Sequence, residues 1–310
     1  MNIFLPDTNE VHKGVCGAIV SWELARAVDY RSFSAGLAAL DIKGVNIPPP
    51  ATTNSALSRV LDAEYADRNC LVKPVRLQGA TGQVNGFAVM PKSRSDGRLA
   101  FVANFYVYVE EVRDIVVDDK GKEREGDLLE AIVQVEPPNE EVRERLQTLF
   151  DVAILGLGST EQSLWLTALV KGTLHGVSMP GGHGHFFVGR NELPIWRSVK
   201  SVCTQHGIRM YETPAMKSAE AVEAVIEGLR QTIAAEHAAL SADLSEYATR
   251  LAEGKKVQNR VLDNRQKRVQ EMVERLEHYE SLFEMRLNDL RASVDQLRIG
   301  YGMSELAQIT

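Results

Sequence analysis

The chain has 310 residues, a formal net charge of −7 and an ordinary globular composition, with 44% hydrophobic and 25% charged residues. This length is enough for one large domain or two modest ones with a sizeable core. The negative net charge argues against a protein that coats nucleic acid over its whole surface, although it is compatible with a local basic patch.

The cysteines and the first residues predict the location of the protein. Cys16, Cys70 and Cys203 are too widely spaced for a disulfide framework, which favours a reducing compartment. The opening MNIFLPDTNE lacks the basic start and apolar run of a secretory signal. The sequence contains no run of about 18 apolar residues, which a membrane-spanning helix would require. We therefore expect a cytoplasmic protein without a membrane segment.

The first predicted domain spans residues 1–136 and mixes helices with strands. It begins with a short strand at 2–5, and apolar residues at helical spacing then predict helices at 19–28 and 30–40. Three consecutive prolines at 48–50 fit neither a helix interior nor a sheet ladder. They predict a connector between two parts of this domain.

The remainder of the first domain predicts one helix and then an antiparallel meander. Thr53 or Asn54 caps a helix that runs to about residue 66. The apolar pattern then changes to a period of two, and Pro74 indicates a strand start or a sheet edge. The predicted sheet has about four strands, which include residues 75–77, 84–90, 99–109 and 128–135.

The second predicted domain, residues 137–216, is a compact α+β unit. Asn139 caps its first helix, with two glutamates in the first turn, and Pro194 lies in the first turn of its last helix. The predicted elements are helices at 139–150 and 160–174, a hairpin at 177–188, a helix that ends at His206, and a strand at 208–211.

The order of these elements resembles a winged helix in outline. Two helices, a short turn at 156–158 and a hairpin would form a helix-turn-helix with a wing. The candidate recognition helix, 160–171, has Glu161 near its start and Lys171 as its one basic residue. Such a helix is poorly suited to a groove lined with phosphates, so the pattern predicts the shape rather than DNA contact through it.

A second interpretation of the same segment is nucleotide binding. An apolar run from Val152 leads into a glycine-rich turn with Gly156 and Gly158, and amides at the start of the next helix would favour a phosphate. The pattern is incomplete, because Glu161 occupies the position of the third glycine and no P-loop lysine follows.

A third interpretation is a zinc site. His183 and His185 are two residues apart, so on a strand their imidazoles would point the same way. Cys203 and His206 are three residues apart and would share one face of a helix. Imidazole and thiolate groups suit zinc, but this spacing does not match a familiar structural zinc module. Ordinary structural histidines are the alternative.

The C-terminal third, residues 217–298, predicts a helical arm. Ser218 is a candidate N-cap and Gly254 a candidate helix stop. The first helix has an apolar stripe at steps of three and four: Val222, Ile226, Leu229, Ile233, His237, Leu240, Leu244, Ala248 and Leu251. The second has a 3.5-residue seam typical of coiled coils: Val273, Leu276, Glu280, Phe283, Leu287, Leu290, Val294 and Leu297.

Neither stripe of the arm can be buried by its own helix. We predict an antiparallel helical hairpin that turns at Gly254, followed by a tail at 299–310. One continuous helix paired with a second subunit is the alternative. Both arrangements predict an element for contact, through self-association or through a protein partner.

A basic cluster interrupts the arm near the predicted turn. Asp263 is the one acidic residue among six basic ones: Lys255, Lys256, Arg260, Arg265, Lys267 and Arg268. A solvated helix surface explains such a cluster, and so does a contact with a phosphate backbone or an acidic protein. No aromatic residue is interleaved, which argues against stacking on single-stranded bases.

The sequence thus predicts an α+β body, a small winged-helix-like unit and a coiled-coil arm. We expect a non-enzymatic interaction or scaffold protein without a cofactor, which binds a partner through the arm and nucleic acid through the basic tip. The alternative is a zinc-dependent enzyme or metalloprotein centred on His183 and His185.

Overall fold

A computed structural model describes residues 14–65, 70–79, 82–91, 93–95, 98–100, 104–117, 123–181, 184–253 and 259–309. These ranges contain eight helices and twelve strands, and every strand pair is antiparallel. The predicted α+β class with antiparallel sheets is therefore confirmed. The predicted strand at 2–5 lies outside the described residues.

Strands and helices are interspersed along the chain. The strands are β1 (Val15–Glu23), β2 (Ala27–Asp29), β3 (Cys70–Gly79), β4 (Gly82–Pro91), β5 (Ser93–Ser95), β6 (Arg98–Ala100), β7 (Phe105–Val117), β8 (Glu123–Glu136), β9 (Gly156–Gly158), β10 (Val177–Ser178), β11 (Phe186–Gly189) and β12 (Arg209–Met216). The helices are α1 (Tyr30–Ala38), α2 (Thr53–Tyr65), α3 (Glu140–Ala153), α4 (Ser159–Lys171), α5 (Leu193–Gln205), α6 (Ala219–Ala252), α7 (Asn259–Phe283) and α8 (Asn288–Ile309).

The described residues form two compact units. The first combines residues 14–23, 40–46 and 165–309, and the second combines residues 24–39 and 47–164. The division predicted from the sequence, with boundaries after residues 136, 216 and 298, stays a prediction.

The first unit contains a four-stranded sheet in the order β10-β11-β1-β12. Strand β1 occupies much of the segment for which the sequence predicted a helix at 19–28, so that prediction was wrong. Cys16, Ala18 and Val20 are buried at a period of two, the pattern of a strand with one face on a core. Pairing with β11 on one side and β12 on the other satisfies the backbone of β1.

Three long helices pack together and against this sheet. Inward residues of α6, α7 and α8 belong to the same buried cluster as Cys16, Val177 and Phe187. A side chain at Gly228 of α6 would collide with the carbonyl of Ser178, so the helix backbone approaches β10 closely. Most residues of the two predicted stripes, from Val222 to Leu244 and from Val273 to Leu297, are therefore buried or partly buried within the chain, which explains their regular spacing without a second subunit. Ala248 of the first stripe is exposed.

The helical arm departs from the prediction in its second half. The predicted helix through residue 298 is two helices, because α7 ends at Phe283 and α8 begins at Asn288. Glu284 has φ +56°, a left-handed backbone that ends the first of them. Helix α8 continues to Ile309, through most of the segment predicted as a tail at 299–310.

Glu280, the polar residue of the seam, has a structural role at this break. Its side chain is buried and accepts a hydrogen bond from the backbone N–H of Leu287 at 2.8 Å. Arg291 of α8 donates to the same carboxylate at 2.6 Å. These contacts hold the pKa of Glu280 below its usual value, with the Arg291 hydrogen bond as the largest stabilising cause. Glu280 thus joins the end of α7 to the start of α8.

The second unit contains the predicted meander, a sheet in the order β3-β4-β7-β8. Its inward side chains pack on α2 and α3, where Leu57, Leu61, Leu146 and Phe150 are fully or almost fully buried. Pro74 lies in β3 at the edge of this order, where its missing N–H interrupts no second ladder, as predicted. The remaining strands of this unit form two shorter pairs, β2 with β9 and β5 with β6.

The winged-helix interpretation is not confirmed. The predicted hairpin exists as β10 and β11, but β11 also pairs with β1 on its other side. Phe186, Phe187 and Val188 are buried, so this strand is an interior part of the sheet and not a projecting wing. Within the described residues, no helix combines the length and apolar character needed to cross a membrane.

Candidate functional site

The basic residues of the predicted arm tip lie along the start of α7. Arg260, Lys267 and Arg268 are exposed, whereas Lys255 and Lys256 lie outside the described residues. Arg265 differs from the others, because its Nε is 2.8 Å from Oδ2 of Asp243 on α6. A hydrogen bond to Tyr247, together with this carboxylate, raises the pKa of the Arg265 guanidinium. Arg265 therefore links two helices and contributes little charge to the surface.

A groove of about 490 Å³ runs beside these cations between α7 and α8. Tyr301, which is buried and donates to the carbonyl of Leu240 at 2.9 Å, forms part of its floor. Lys267 lies on one wall and Arg298 on the other, and the side chain of Arg298 is 65% exposed. The full lining is Asp263, Gln266, Lys267, Val269, Gln270, Arg298 and Tyr301. The geometry therefore offers cations on both sides of a shallow depression.

The direction of the helices brings these groups together. Contacts of Glu236 with Arg275 and of Asp243 with Arg265 show that α6 and α7 run in opposite directions. Helix α8 then returns beside both, so that its residues Arg298 and Tyr301 lie near Lys267 in the first turns of α7, and Tyr301 also bonds to Leu240 of α6. Arg298 was outside the predicted basic cluster because its sequence distance from Lys267 gives no sign of this contact.

The four residues of the proposed zinc set occupy very different surroundings. His185 is exposed just before β11, while His206 is half-buried and ends α5. Cys203 is fully buried, and loss of solvent raises the pKa of its thiol to about 12, which disfavours the thiolate that binds zinc. His183 lies outside the described residues. The described part of the chain contains no group of three or more histidine, cysteine or acidic side chains placed to hold a metal.

The glycine-rich segment of the nucleotide interpretation is a strand. Gly156–Gly158 forms β9 and pairs with β2, and a side chain at Gly158 would collide with Arg59. Arg59 donates to Glu161 at 3.0 Å and to the carbonyls of Ala153 and Gly156 at 2.6 and 2.8 Å. Glu161, which replaces the third glycine of the fingerprint, is thus an ion-pair partner at a site already filled by a guanidinium.

Sequence reasoning missed a buried acid–base contact in the first unit. Nε2 of His278 on α7 lies 3.4 Å from Oε2 of Glu192, and both side chains are about nine-tenths buried, with exposures of 13% and 14%. The His278 ring also stacks on His175, with ring centroids 5.3 Å apart. Each residue was inconspicuous in the sequence, since His278 lies off the coiled-coil seam and Glu192 only precedes a helix.

Burial determines the protonation of this contact. It raises the pKa of Glu192 to about 7. Burial first, and the neighbouring His175 second, together lower the pKa of His278 to about 4. The pKa of His175 is itself lowered, first by burial and then by the Arg275 guanidinium. Although the 3.4 Å approach would suit an ion pair, the cost of burying two charges favours the neutral forms.

The backbone around this contact is closely packed. His175 has φ +49°, a conformation that is uncommon for a residue with a side chain, and its carbonyl accepts a hydrogen bond from Tyr279 at 2.9 Å. A side chain at Gly189 would collide with both Glu192 and His278. The three titratable groups therefore form a packed junction between α7 and the sheet, and not the wall of an open pocket.

Comparison with known proteins places the chain in a family without assigning its chemistry. No curated protein and no solved structure matches the chain. One family matches almost the whole of it, over residues 15–308, a range that includes the sheet of the first unit, the meander and all three long helices. The chain therefore belongs to the family of unknown function DUF6744.

Proposed function

We propose that this protein is a non-enzymatic interaction protein that binds a polyanion, with duplex nucleic acid as the ligand, through a basic surface on its helical bundle. The basic surface consists of Arg260, Lys267, Arg268 and Arg298. The observation that supports it is the position of Lys267 and Arg298 on opposite walls of one groove, with two further exposed cations beside it.

The lining of the groove contains two cations and one carboxylate. Asp243 is occupied by Arg265, and Glu246 lies 2.6 Å from Arg250. These pairs involve two of the six acidic residues of the neighbouring helix α6. In the groove lining, Lys267 and Arg298 outnumber Asp263, although Arg298 also lies 3.5 Å from Asp295. An acidic body with a basic patch would orient the protein on a phosphate backbone, because the remaining surface would be repelled.

Self-association receives less support than partner binding. Most residues of the apolar stripes that suggested it are buried among α6, α7, α8 and the sheet. A coiled-coil contact with a second copy would have to separate this core. The proposal therefore uses the exposed cations and not the stripes.

The test is fluorescence anisotropy with labelled duplex DNA at about 50 and 200 mM salt. We expect binding that weakens with salt, and we expect the variant Lys267→Glu/Arg268→Glu to weaken it by about tenfold or more at the lower salt. The plot of the logarithm of the association constant against the logarithm of the salt concentration should have a slope that is shallower by about 2, since two phosphate contacts are lost.

The matched control is Lys200→Glu/Arg209→Glu, which makes the same charge change on α5 and β12 of the same unit. Equal weakening in both variants would show a general charge effect and contradict a specific surface. Absence of salt-sensitive DNA binding in the unaltered chain would remove the nucleic-acid proposal. Equally tight binding of polyglutamate would indicate an acidic protein as the ligand instead.

A further inference from the structure

The groove between α7 and α8 has a mixed lining that contact with a phosphate backbone does not explain. Lys267 and Arg298 on its walls suit phosphates, but Asp263 lies in the same lining and would repel them. Gln266 and Gln270 carry no charge and therefore add little to the attraction of a polyanion. These three other polar residues lie three or four positions apart along α7, so they share one face of that helix.

The Asp263 carboxylate is available to a ligand. Asp263 is exposed, and in the described part of the chain no hydrogen bond or ion pair engages it. The neighbouring acids are occupied, because Asp295 lies 3.5 Å from Arg298 and Glu274 accepts from Nε2 of Gln270 at 3.1 Å. An ionised carboxylate only accepts hydrogen bonds, so a ligand at this position must bring N–H or O–H donors.

The dimensions of the groove suit one nucleotide. Its volume of about 490 Å³ lies within the range of roughly 300–1,000 Å³ of sites for single small ligands. The buried side chains of Val269 and Tyr301 give it an apolar floor. Tyr301 is 1% exposed and its hydroxyl donates to Leu240, so its ring offers contact but no free face for stacking. A bound base would therefore be recognised by hydrogen bonds at its edge.

Base pairing determines which part of a nucleic acid reaches the groove. The bases inside a duplex are paired and stacked, so a continuous duplex on the basic surface meets the two walls with its phosphates. An unpaired nucleotide leaves the stack at the lowest cost, which allows its base to enter a pocket. The exocyclic amino group of cytosine is a donor that a carboxylate recognises, whereas thymine has a carbonyl oxygen there. Asp263 therefore favours cytosine over thymine.

We propose that this groove binds an unpaired nucleotide at the end of a duplex, with a preference for a base that carries an exocyclic amino group. The phosphate of this nucleotide lies between Lys267 and Arg298, and the amino group donates to Asp263. The inference rests on the proposed function, because the basic surface holds the adjoining duplex. It adds a preference for strand ends and for base identity, which phosphate contacts do not provide.

The test compares three labelled duplexes by fluorescence anisotropy at about 50 mM salt. The first is blunt, the second has one unpaired cytosine at both ends of one strand, and the third has thymine at the same positions. The thymine duplex controls for the added phosphates. We expect the cytosine duplex to bind about three- to tenfold more tightly than the thymine duplex, because one charge-assisted hydrogen bond is gained.

The outcomes separate this inference from the proposed function. Salt-sensitive binding of the blunt duplex, together with equal affinity for the cytosine and thymine duplexes, would overturn the inference and leave the proposed function intact. Absence of binding to all three duplexes would overturn both.

The variant Asp263→Ala tests the assigned contact. It removes a negative charge beside the cations and places a good helix former in α7, so binding of the blunt duplex should stay the same or tighten. The preference for cytosine over thymine should disappear. The matched control is Glu271→Ala, which removes an exposed carboxylate of the same helix outside the groove lining and should keep the preference. A preference that persists in Asp263→Ala, or an equal loss in the control, would contradict the assignment.

Discussion

At the residue scale, the junction of Glu192 with His278 is the most distinctive chemistry of the described chain. Two side chains that are usually charged or solvated face each other at 3.4 Å under nearly complete burial. Neither the carboxylate oxygen nor the imidazole nitrogen of this contact has a hydrogen-bond partner within the described structure. Such a contact makes the stability of the fold depend on pH, because unfolding returns both groups to water and to their ordinary pKa values.

The pKa of Glu192 predicts the sign of this dependence. Its pKa of about 7 in the folded chain lies above its ordinary value of 4.5, so it contributes stability below about pH 4.5 that is lost as pH rises to 7. The variant Glu192→Gln has no such loss. We therefore expect the difference between its free energy of unfolding and that of the unaltered chain to grow by about 1–3 kcal/mol in favour of the variant from pH 5 to pH 8.

Urea unfolding from pH 5 to pH 8 measures this difference. The lowered pKa of His278 acts in the opposite sense, with stability lost as pH falls from 6.5 toward 4, and it is common to both proteins. Glu23→Gln, at an exposed side chain of β1, serves as a control whose curve should follow the unaltered chain. Parallel curves for Glu192→Gln and the unaltered chain would show that Glu192 is already ionised when folded.

At the element scale, the division between α7 and α8 depends on one carboxylate. Glu280 accepts the backbone N–H of Leu287, one of the four amides at the start of a helix that have no partner within it. We expect Glu280→Ala to lower the free energy of unfolding by about 2–3 kcal/mol, because it also leaves Arg291 without its closest carboxylate.

Chemical denaturation of Glu280→Ala and Glu277→Ala provides the comparison. Glu277 is one turn away on the same helix, its side chain is 59% exposed, and it lies 3.8 Å from the same Arg291. Its removal should change stability by no more than about 0.5 kcal/mol. Similar losses in the two variants would mean that the start of α8 does not need the cap.

At the scale of the whole molecule, the last residues of the chain belong to the core of the first unit. Tyr301, in the segment predicted to be a tail, is 1% exposed and shares the buried cluster with residues of α6 and α7. Tyr301→Ala should therefore cost about 3–5 kcal/mol, and Tyr301→Phe about 1 kcal/mol for its hydrogen bond to Leu240.

Thermal and urea unfolding of the two Tyr301 variants distinguish a core from a tail. The phenylalanine variant keeps the ring and loses only the hydroxyl, so it separates packing from hydrogen bonding. An alanine variant with unaltered stability would mean that α8 does not pack on the bundle at this point.

The sequence by itself determined the periods of the long elements. The stripe of α6 as far as Leu244, the seam of residues 273–297 and the alternation in the meander correspond to buried faces, because burial of apolar surface imposes these spacings locally. The capping of α3 by Asn139 could also be predicted from the sequence, since the side chain of a cap residue accepts a hydrogen bond from a backbone N–H within three residues, here that of Val142.

The tertiary structure decided what those faces and charges contact. Residues 19–28 had apolar spacing compatible with a helix, yet β11 and β12 supply ladders on both sides of β1 and make it a strand. Arg265 and Lys267 looked alike in the sequence, but Asp243 pairs with only the first of them. The contact of Glu192 with His278 joins residues that are distant along the chain, so no local pattern could have predicted it.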